Sequence, residues 1–309
     1  MQYPILRLCR VANVFTALAD ILAGYAVVQG TLHWAPELIL LALASAGLYT
    51  GGIVLNDRLD LDRDRRERPE RPLPSGQVSL RAAHLLIGLL LGGGVVAAAM
   101  AGRAAGAGAG VPLSIAVVLI VVIAAYDGGL KETPIGPVAM GACRGLNLLL
   151  GMSFAVGEGA VPWELHHYLV AGAMGVYVAG VTSYARHEAD ESLESRRTLA
   201  IGIGLVLAAI LLLAAAYFPL AAARRALLGR PELWWLLLGV VSVPLVRRLF
   251  VTWAAPSPKR IQQTVGLAIM SIIVFDACIA YLAAGTYAGL AVISLLLPAL
   301  LLGRLFPPS

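Results

Sequence analysis

The run "ELILLALASAGLYTGGIVLNDRLDLDRDRRERPERPLPSG", residues 37–76, passes without a break from apolar to highly charged sequence. Its first nineteen residues carry a single charge, on Glu37. Residues 56–76 then contain six acids and six arginines. An apolar run of about 20 residues is long enough to cross a bilayer as a helix. The charged residues are therefore expected where a membrane helix reaches the water.

The composition of the whole chain agrees with a membrane protein. Of its 309 residues, 59% are hydrophobic and 13% are charged, and the mean hydropathy is +0.83, which lies outside the usual range of soluble domains. We expect an all-α, polytopic integral membrane protein that forms one domain over residues 1–309. Ten apolar runs are predicted to span the membrane: 11–29, 37–56, 79–101, 110–126, 137–156, 167–186, 198–220, 232–250, 262–284 and 287–306.

The distribution of basic residues predicts the orientation of these spans. With the N-terminus inside, eighteen of the twenty-three lysines and arginines fall on the inner side or at its helix ends. By the positive-inside rule, both termini and the charged loop should be cytoplasmic, in a cell inner or plasma membrane. This bias and anionic lipid explain the net charge of +5, so no nucleic-acid partner is needed. The three widely spaced cysteines are expected to be packed thiols.

The acidic residues after the second span have a helical spacing. If the helix continues past Asn56, the side chains of Asn56, Asp60 and Asp64 fall within an arc of about 80°, with Asp57 beside them. Carboxylate and amide oxygens suit Mg²⁺, which keeps several waters and usually bridges to substrate phosphates. The alternative is a solvated charged loop in which the arginines neutralise the acids.

The same residues resemble a known motif. The pattern of Asn56, Asp57, Asp60 and Asp64, followed by "RPERPLPSG" at 68–76, is similar to the first aspartate-rich motif of the UbiA superfamily of intramembrane prenyltransferases. That resemblance implies a nine-helix bundle, here with an additional C-terminal helix. "YARHEADE" and "LKETPIGPVAMGACRGLNLLLG" look like the divergent EboC-like branch of the superfamily.

The resemblance also implies functional residues elsewhere in the chain. The stretch "SYARHEADESLESRR" stands where the family has its second acidic motif, and "YDGGLKETPIGP" stands where it has a tyrosine and a lysine that contact diphosphate. The candidates in these two segments are Tyr184, Arg186, Glu188, Asp190 and Glu191, and Tyr126 and Lys131. The alternative for the second acidic motif is a short amphipathic surface helix with Arg and Glu pairs.

Polar residues inside the predicted spans mark another candidate site. Arg144 and Asn147 are three residues apart on one helix face, where a charge needs a partner or a cavity. Asn13 lies on one stripe of the first span with Thr16 and Asp20. Either Asp20 or Asp276 is a suitable partner for Arg144, so the alternative is a buried ion pair that fixes helix packing.

Together these features predict Mg²⁺-dependent transfer of an isoprenyl group from a prenyl diphosphate to a lipophilic acceptor within the membrane. A carrier with the same fold, which binds or translocates a lipophilic or phosphorylated precursor, is the alternative. The expected metal ligands are Asn56, Asp60, Asp64, Glu188 and Asp190. The expected catalytic residues are Asp60, Asp64, Lys131, Glu188 and Glu191. The expected substrate-binding residues are Asn13, Asp57, Arg71, Tyr126, Lys131, Arg144, Asn147, Tyr184 and Arg186.

Overall fold

The computed structural model describes residues 3–106, 108–154, 163–186, 193–223 and 232–306. Throughout these ranges the only regular secondary structure is helix, which confirms the predicted all-α class. The helices are α1 (Pro4–Leu8), α2 (Val11–Gln29), α3 (Pro36–Leu59), α4 (Leu61–Glu67), α5 (Leu80–Ala104), α6 (Gly110–Asp127), α7 (Gly136–Gly151), α8 (Leu165–Ala185), α9 (Leu193–Ala223), α10 (Glu232–Ala254), α11 (Pro258–Ile293) and α12 (Leu296–Leu305). A short 3₁₀ turn, Leu130–Glu132, precedes α7.

The long helices follow the predicted spans to within a few residues. Eight helical segments in the described ranges are long and apolar enough to cross a membrane. The count is lower than the predicted ten for two reasons. Helix α7 has only 16 residues, and Pro258–Leu305 is counted as one segment of 48 residues.

That last segment contains two of the predicted spans, because the chain reverses at Gly285. This residue has φ 81° and ψ −172°, a backbone conformation that glycine adopts readily. A Cβ atom added to Gly289 would lie 2.9 Å from Cβ of Tyr281, a proximity that a continuous helix does not allow. The residues after Gly285 therefore run back along the bundle and end in α12, which packs against α2. This return segment occupies the place of the predicted tenth span, 287–306, while its being additional to the family's nine helices stays a prediction.

The helices approach one another closely where small residues face each other. A Cβ atom at Gly24 of α2 would lie 2.6 Å from the carbonyl oxygen of Leu148 in α7. The neighbouring Gly151 is closely packed against the backbone of Ile21 in the same way. Close backbone approach of this kind is the usual means by which helices associate in lipid. It brings α2 and α7 together at the level where both carry polar side chains.

Both described chain ends lie at the same end of the bundle. The ring of Tyr3 packs edge-on against Phe306 at a centroid distance of 6.3 Å, and Gly303 approaches Ala12. The charged loop after α3 is at this end too, since Asp57 pairs with Arg10. The predicted placement of both termini and this loop on one side agrees with the geometry, while its assignment to the cytoplasm stays a prediction.

Candidate functional site

The acidic residues lie where α3 passes into α4. Helix α3 ends at Leu59, Asp60 forms the junction, and α4 begins at Leu61. The backbone hydrogen bonds nevertheless continue in helical register, from Asp60 N to Asn56 O at 2.9 Å and from Asp64 N to Asp60 O at 2.8 Å. The predicted continuation of the helix past Asn56 thus holds, with a small bend, and the three side chains are separated by successive turns.

The loop after α4 folds back against this junction. Leu73 and Val78 are buried in a small apolar cluster with Leu61 and Val54, which anchors the loop to α3 and α4. The hydroxyl of Ser75 donates to the carbonyl oxygen of Arg71 at 2.6 Å. The proline-rich loop is therefore packed against α3 and α4, and it places the buried guanidinium of Arg71 beside the acids.

Two of the acids form buried ion pairs with arginines. Arg71 NH1 donates to Asp64 Oδ2 at 2.7 Å and lies 3.8 Å from Asp57 Oδ1. Arg10 NH2 donates to the same Oδ1 of Asp57 at 2.7 Å. Because burial strengthens such contacts and makes an unpaired charge costly, the arrangement fixes both carboxylates in place.

The turn between α6 and α7 supplies two further partners. Lys131 Nζ donates to Asp60 Oδ1 at 2.5 Å, and Asn56 Nδ2 donates to Asp127 Oδ1 at 2.6 Å. Gly129, with φ 144°, forms the turn that returns the chain from Asp127 to Lys131. The predicted residues Asn56, Asp57, Asp60, Asp64, Arg71 and Lys131 are thus brought together at one end of the bundle.

Asp127 and Arg10 belong to this cluster but were missed by the sequence interpretation. Asp127 is the last residue of an apolar span and is followed by a turn, which is the pattern that singled out Asn56 and its neighbours. Arg10 directly precedes the first span. In each case the sequence places a charge at a helix end, but only the fold shows which acid or base it faces.

The described donors of the cluster suit a Mg²⁺ ion that is shared with a substrate phosphate. In the part of the chain that the structure describes, no three His, Cys, Asp or Glu side chains are grouped to hold an ion by themselves. However, the second carboxylate oxygen of Asp60 and of Asp64 makes no hydrogen bond to a described residue, and Asn56 keeps its amide oxygen available. Mg²⁺ commonly takes one or two carboxylates, water and substrate phosphate, which this donor set can supply.

The three acidic candidates of the predicted second motif, Glu188, Asp190 and Glu191, lie outside the described residues. Its first residues are described. Arg186 NH2 donates to the carbonyl oxygen of Thr133 at 2.6 Å, next to the turn that carries Lys131. Tyr184 is buried and its hydroxyl donates to the carbonyl oxygen of Leu249 at 3.1 Å. Tyr126 lies within electrostatic range of both Asp60 and Arg186.

The polar residues inside the spans form a separate network. Asn147 Nδ2 donates to Asp20 Oδ2 at 2.8 Å and to the carbonyl oxygen of Ala17 at 2.9 Å. Its Oδ1 accepts from the hydroxyl of Ser45 at 2.8 Å. Arg144 Nε lies 3.1 Å from Asp20 Oδ1. The predicted ion pair between Arg144 and Asp20 is therefore present, whereas roles of Arg144 and Asn147 in substrate binding stay predictions.

Asn13, the remaining predicted substrate-binding residue, begins the stripe on α2 one turn before Thr16. Its side chain is half-buried, and its carbonyl oxygen accepts from the hydroxyl of Thr16 at 2.8 Å. The carbonyl oxygen of Thr16 in turn accepts a hydrogen bond from NH2 of Arg144 at 3.1 Å. Asn13 thus lies between the acidic cluster at the helix ends and the network inside the spans.

Comparison with known proteins gives consistent matches. The model of the UbiA prenyltransferase family matches residues 17–272. Digeranylgeranylglyceryl phosphate synthase of Methanoculleus marisnigri is 34% identical over 157 residues, which are 50% of this chain and 53% of that protein. The chain thus spans about half the length of this relative.

Solved structures share the fold. A UbiA homolog from Aeropyrum pernix K1 superimposes with a TM-score of 0.65 at 20% identity, over 86% of this chain and 96% of that one. A UbiA homolog from Archaeoglobus fulgidus, bound to GPP and Mg²⁺, superimposes with a TM-score of 0.52 at 18% identity. That match covers 94% of this chain and 100% of the other.

Proposed function

The chain belongs to the UbiA prenyltransferase family, and on that premise we propose that it transfers an isoprenyl group from a prenyl diphosphate to a lipophilic acceptor within the membrane. The observation that carries the proposal is the cluster at the α3–α4 junction. There, oxygen donors for a divalent ion and cations for a diphosphate meet at the end of a membrane helix. The relative from Archaeoglobus fulgidus, whose structure contains GPP and Mg²⁺, supports this donor class and this metal.

Asn56, Asp60 and Asp64 would hold the metal. When bound, Mg²⁺ neutralises charge on the diphosphate and favours its departure. Lys131 and Arg71 are placed to stabilise the leaving diphosphate, because a lysine is a mobile point cation and an arginine presents a fixed set of donors. Asp57 lies between Arg10 and Arg71 and orients the guanidinium of Arg71.

The reaction breaks the bond between the first prenyl carbon and the diphosphate oxygen, and the electron pair leaves with the diphosphate. The allylic carbon, which gains cationic character, is then attacked by the acceptor, and the acceptor loses a proton. Water would compete for that carbon, so a site enclosed by apolar helices suits the chemistry. We assign Glu188, Asp190 and Glu191 to the other half of the metal site or to acceptor deprotonation.

The test is an assay of diphosphate release and prenyl transfer by the purified protein, with a panel of prenyl diphosphates and with aromatic, chlorin-like and glycerol-phosphate acceptors. Asp60→Asn and Asp64→Asn should abolish Mg²⁺-dependent turnover. Asp62→Asn is the matched control, since Asp62 lies in α4 with Asp64 but its side chain is 90% exposed and, among the described residues, pairs with Arg65 alone. Equal activity in all three variants would reject the assigned roles.

A carrier function is the second candidate, and one observation favours it. Asp57, Asp60 and Asp64 are each already paired with a basic side chain, so the cluster is largely neutralised without metal. A carrier would move a prenyl diphosphate or a related precursor between the two sides of a reconstituted vesicle. Movement without release of diphosphate would identify the carrier, and Mg²⁺-dependent release would identify the transferase.

A further inference from the structure

Two carboxyl groups meet in the interior of the bundle, away from the diphosphate cluster. Asp20 on α2 and Asp276 on α11 both have 0% exposed surface. Helices α2 and α11 pack against each other, and the two carboxyl groups are close enough to interact directly. Acids at membrane depth are rare, and they need a partner for each oxygen.

The two carboxyl groups differ sharply in their contacts. Asp20 Oδ2 accepts from Asn147, and Asp20 Oδ1 lies 3.1 Å from Nε of Arg144. The N–H of that Nε is not directed at the oxygen, so Asp20 Oδ1 has no donor among the described side chains and backbone groups. Both oxygens of Asp276 are likewise buried without a donor in the described part of the chain. The unmatched atoms of this network are thus three carboxyl oxygens and one donor, the Nε of Arg144, so the acceptors outnumber the donors.

The charges around the pair do not balance if both acids are ionised. Arg144 on α7 is the cation that contacts Asp20, and it also interacts electrostatically with Asp276. Among the residues that the structure describes, the other titratable groups facing this network are Tyr49 on α3, Tyr177 on α8 and Cys278 on α11. These three side chains are ordinarily neutral, so one positive charge faces two acids.

We propose that Asp20 and Asp276 bind one proton between them, and that this proton forms a hydrogen bond from the carboxyl group of Asp276 to Oδ1 of Asp20. This proton supplies a donor for Oδ1 of Asp20 and a partner for the Asp276 oxygen that carries it. It also leaves Asp20 as the single counter-ion of Arg144, so the group as a whole is neutral. Two adjacent carboxyl groups that share one proton are a known arrangement where like charges cannot both be ionised.

The proton site has a structural consequence for the bundle. Arg144 and Asn147 of α7 contact Asp20 of α2, which connects these two helices. Asn147 also binds Ser45 of α3, and Asp276 brings α11 into the same network. Helix α3 carries the acidic cluster at its far end. The shared proton is therefore a positioning element that fixes the helices around α3 without leaving a net charge in lipid.

Infrared spectroscopy of the purified protein in an ester-free detergent tests the proposal directly. A protonated carboxyl group has a carbonyl stretch that is well separated from that of a carboxylate and shifts in D₂O. The wild type should show such a band, and Asp276→Asn should remove it. Asp20→Asn should remove it too, since Asp276 would then be the only counter-ion of Arg144 and would ionise. Cys278→Ser, a buried neighbour on the same helix, should leave the band unchanged.

Thermal unfolding of the same variants provides a second, independent measurement. Asp276→Asn should melt close to the wild type, because its amide can replace the carboxyl group as a donor to Asp20. Asp20→Asn should melt clearly lower, and the double variant lower still, because Arg144 would lose both acids.

Two results would overturn the proposal. One is a wild-type spectrum without the band, or a band that persists when Asp20 is replaced. The other is an Asp276→Asn variant that melts as low as Asp20→Asn. If Asp276→Asn does not fold, the spectra of the wild type and of Asp20→Asn still decide the question.

Discussion

The ammonium group of Lys131 lies 2.5 Å from Oδ1 of Asp60, and this contact joins the turn after α6 to the junction between α3 and α4. Both side chains are only partly exposed, at 14% for Lys131 and 22% for Asp60. A diphosphate held through a metal on Asp60 would therefore arrive directly beside Lys131. Under the proposed function, the lysine that neutralises Asp60 before binding would neutralise the diphosphate afterwards.

Replacing Lys131 with Gln should weaken donor binding. We expect KM for the prenyl diphosphate to rise about tenfold or more, since a hydrogen bond to a charged group contributes roughly 1.5–3 kcal/mol. Steady-state kinetics of diphosphate release will measure this. The control is Lys259→Gln, because Lys259 is the only other lysine of the chain and is exposed at the start of α11. An equal change in KM for both variants would contradict the assignment.

Arg71→Met should destabilise the protein, because it leaves Asp64 buried without its cation. Removal of one partner from a buried ion pair costs about 3–5 kcal/mol. The side chains of Arg71 and Asp64 are 9% and 4% exposed. The comparison is Arg65→Met, which breaks an exposed pair with Asp62 and should cost less than about 1 kcal/mol. Thermal unfolding in detergent should show a lower melting temperature for Arg71→Met and almost no change for Arg65→Met.

Much of the fold was readable from the sequence, because a lipid-spanning helix must be long and apolar. The positions of α2, α3 and α6 follow from that constraint almost to the residue. The predicted fifth span, 137–156, extended beyond the end of α7 at Gly151, because an apolar composition does not indicate where a helix stops. The reversal at Gly285 was located correctly, since the residue separates two apolar runs.

The candidate site could be predicted only in part from the sequence, because some of its contacts are local and others depend on helix packing. Helical spacing placed Asn56, Asp60 and Asp64 on one side, because that relation is local. The contacts of Asp57 with Arg10 and of Asn56 with Asp127 connect residues 47 and 71 positions apart. Such pairs depend on how helices pack, and nothing in the local sequence specifies them.

Asp127 should matter through Asn56, whose amide it orients. Asp127→Asn keeps an acceptor for Asn56 Nδ2, so we expect a modest loss of activity. Asp127→Leu removes the acceptor and should raise the Mg²⁺ concentration required for half-maximal activity, with little change in the melting temperature. A titration with Mg²⁺ distinguishes the two variants. If Asp127→Leu needs no more Mg²⁺ than the wild type, Asp127 does not act on the metal site.

Cys9 should react slowly with maleimide at neutral pH. The residue lies between α1 and α2 and is 7% exposed, and burial raises the pKa of its thiol. A raised pKa lowers the thiolate fraction at any given pH, and the thiolate is the reactive form. In a Cys143→Ser/Cys278→Ser background, labelling followed by mass spectrometry should accelerate only at alkaline pH or after unfolding. Rapid labelling of the folded protein at pH 7 would contradict the burial of Cys9.

Gly24→Ala should separate α2 from α7. The added Cβ atom would lie 2.6 Å from the carbonyl oxygen of Leu148, and backbone on both helices would have to move. Overpacking of this kind costs typically 1–3 kcal/mol. Gly172→Ala on α8 is the matched control, because a Cβ atom there meets nothing within 4 Å. The melting temperature should fall only for Gly24→Ala.

Because α2 also carries Asp20, the Gly24→Ala variant should in addition weaken the network around Arg144. An infrared spectrum of the Asp276 carboxyl group would reveal this change. An unchanged melting temperature would mean that the two helices are less closely packed than the structure shows.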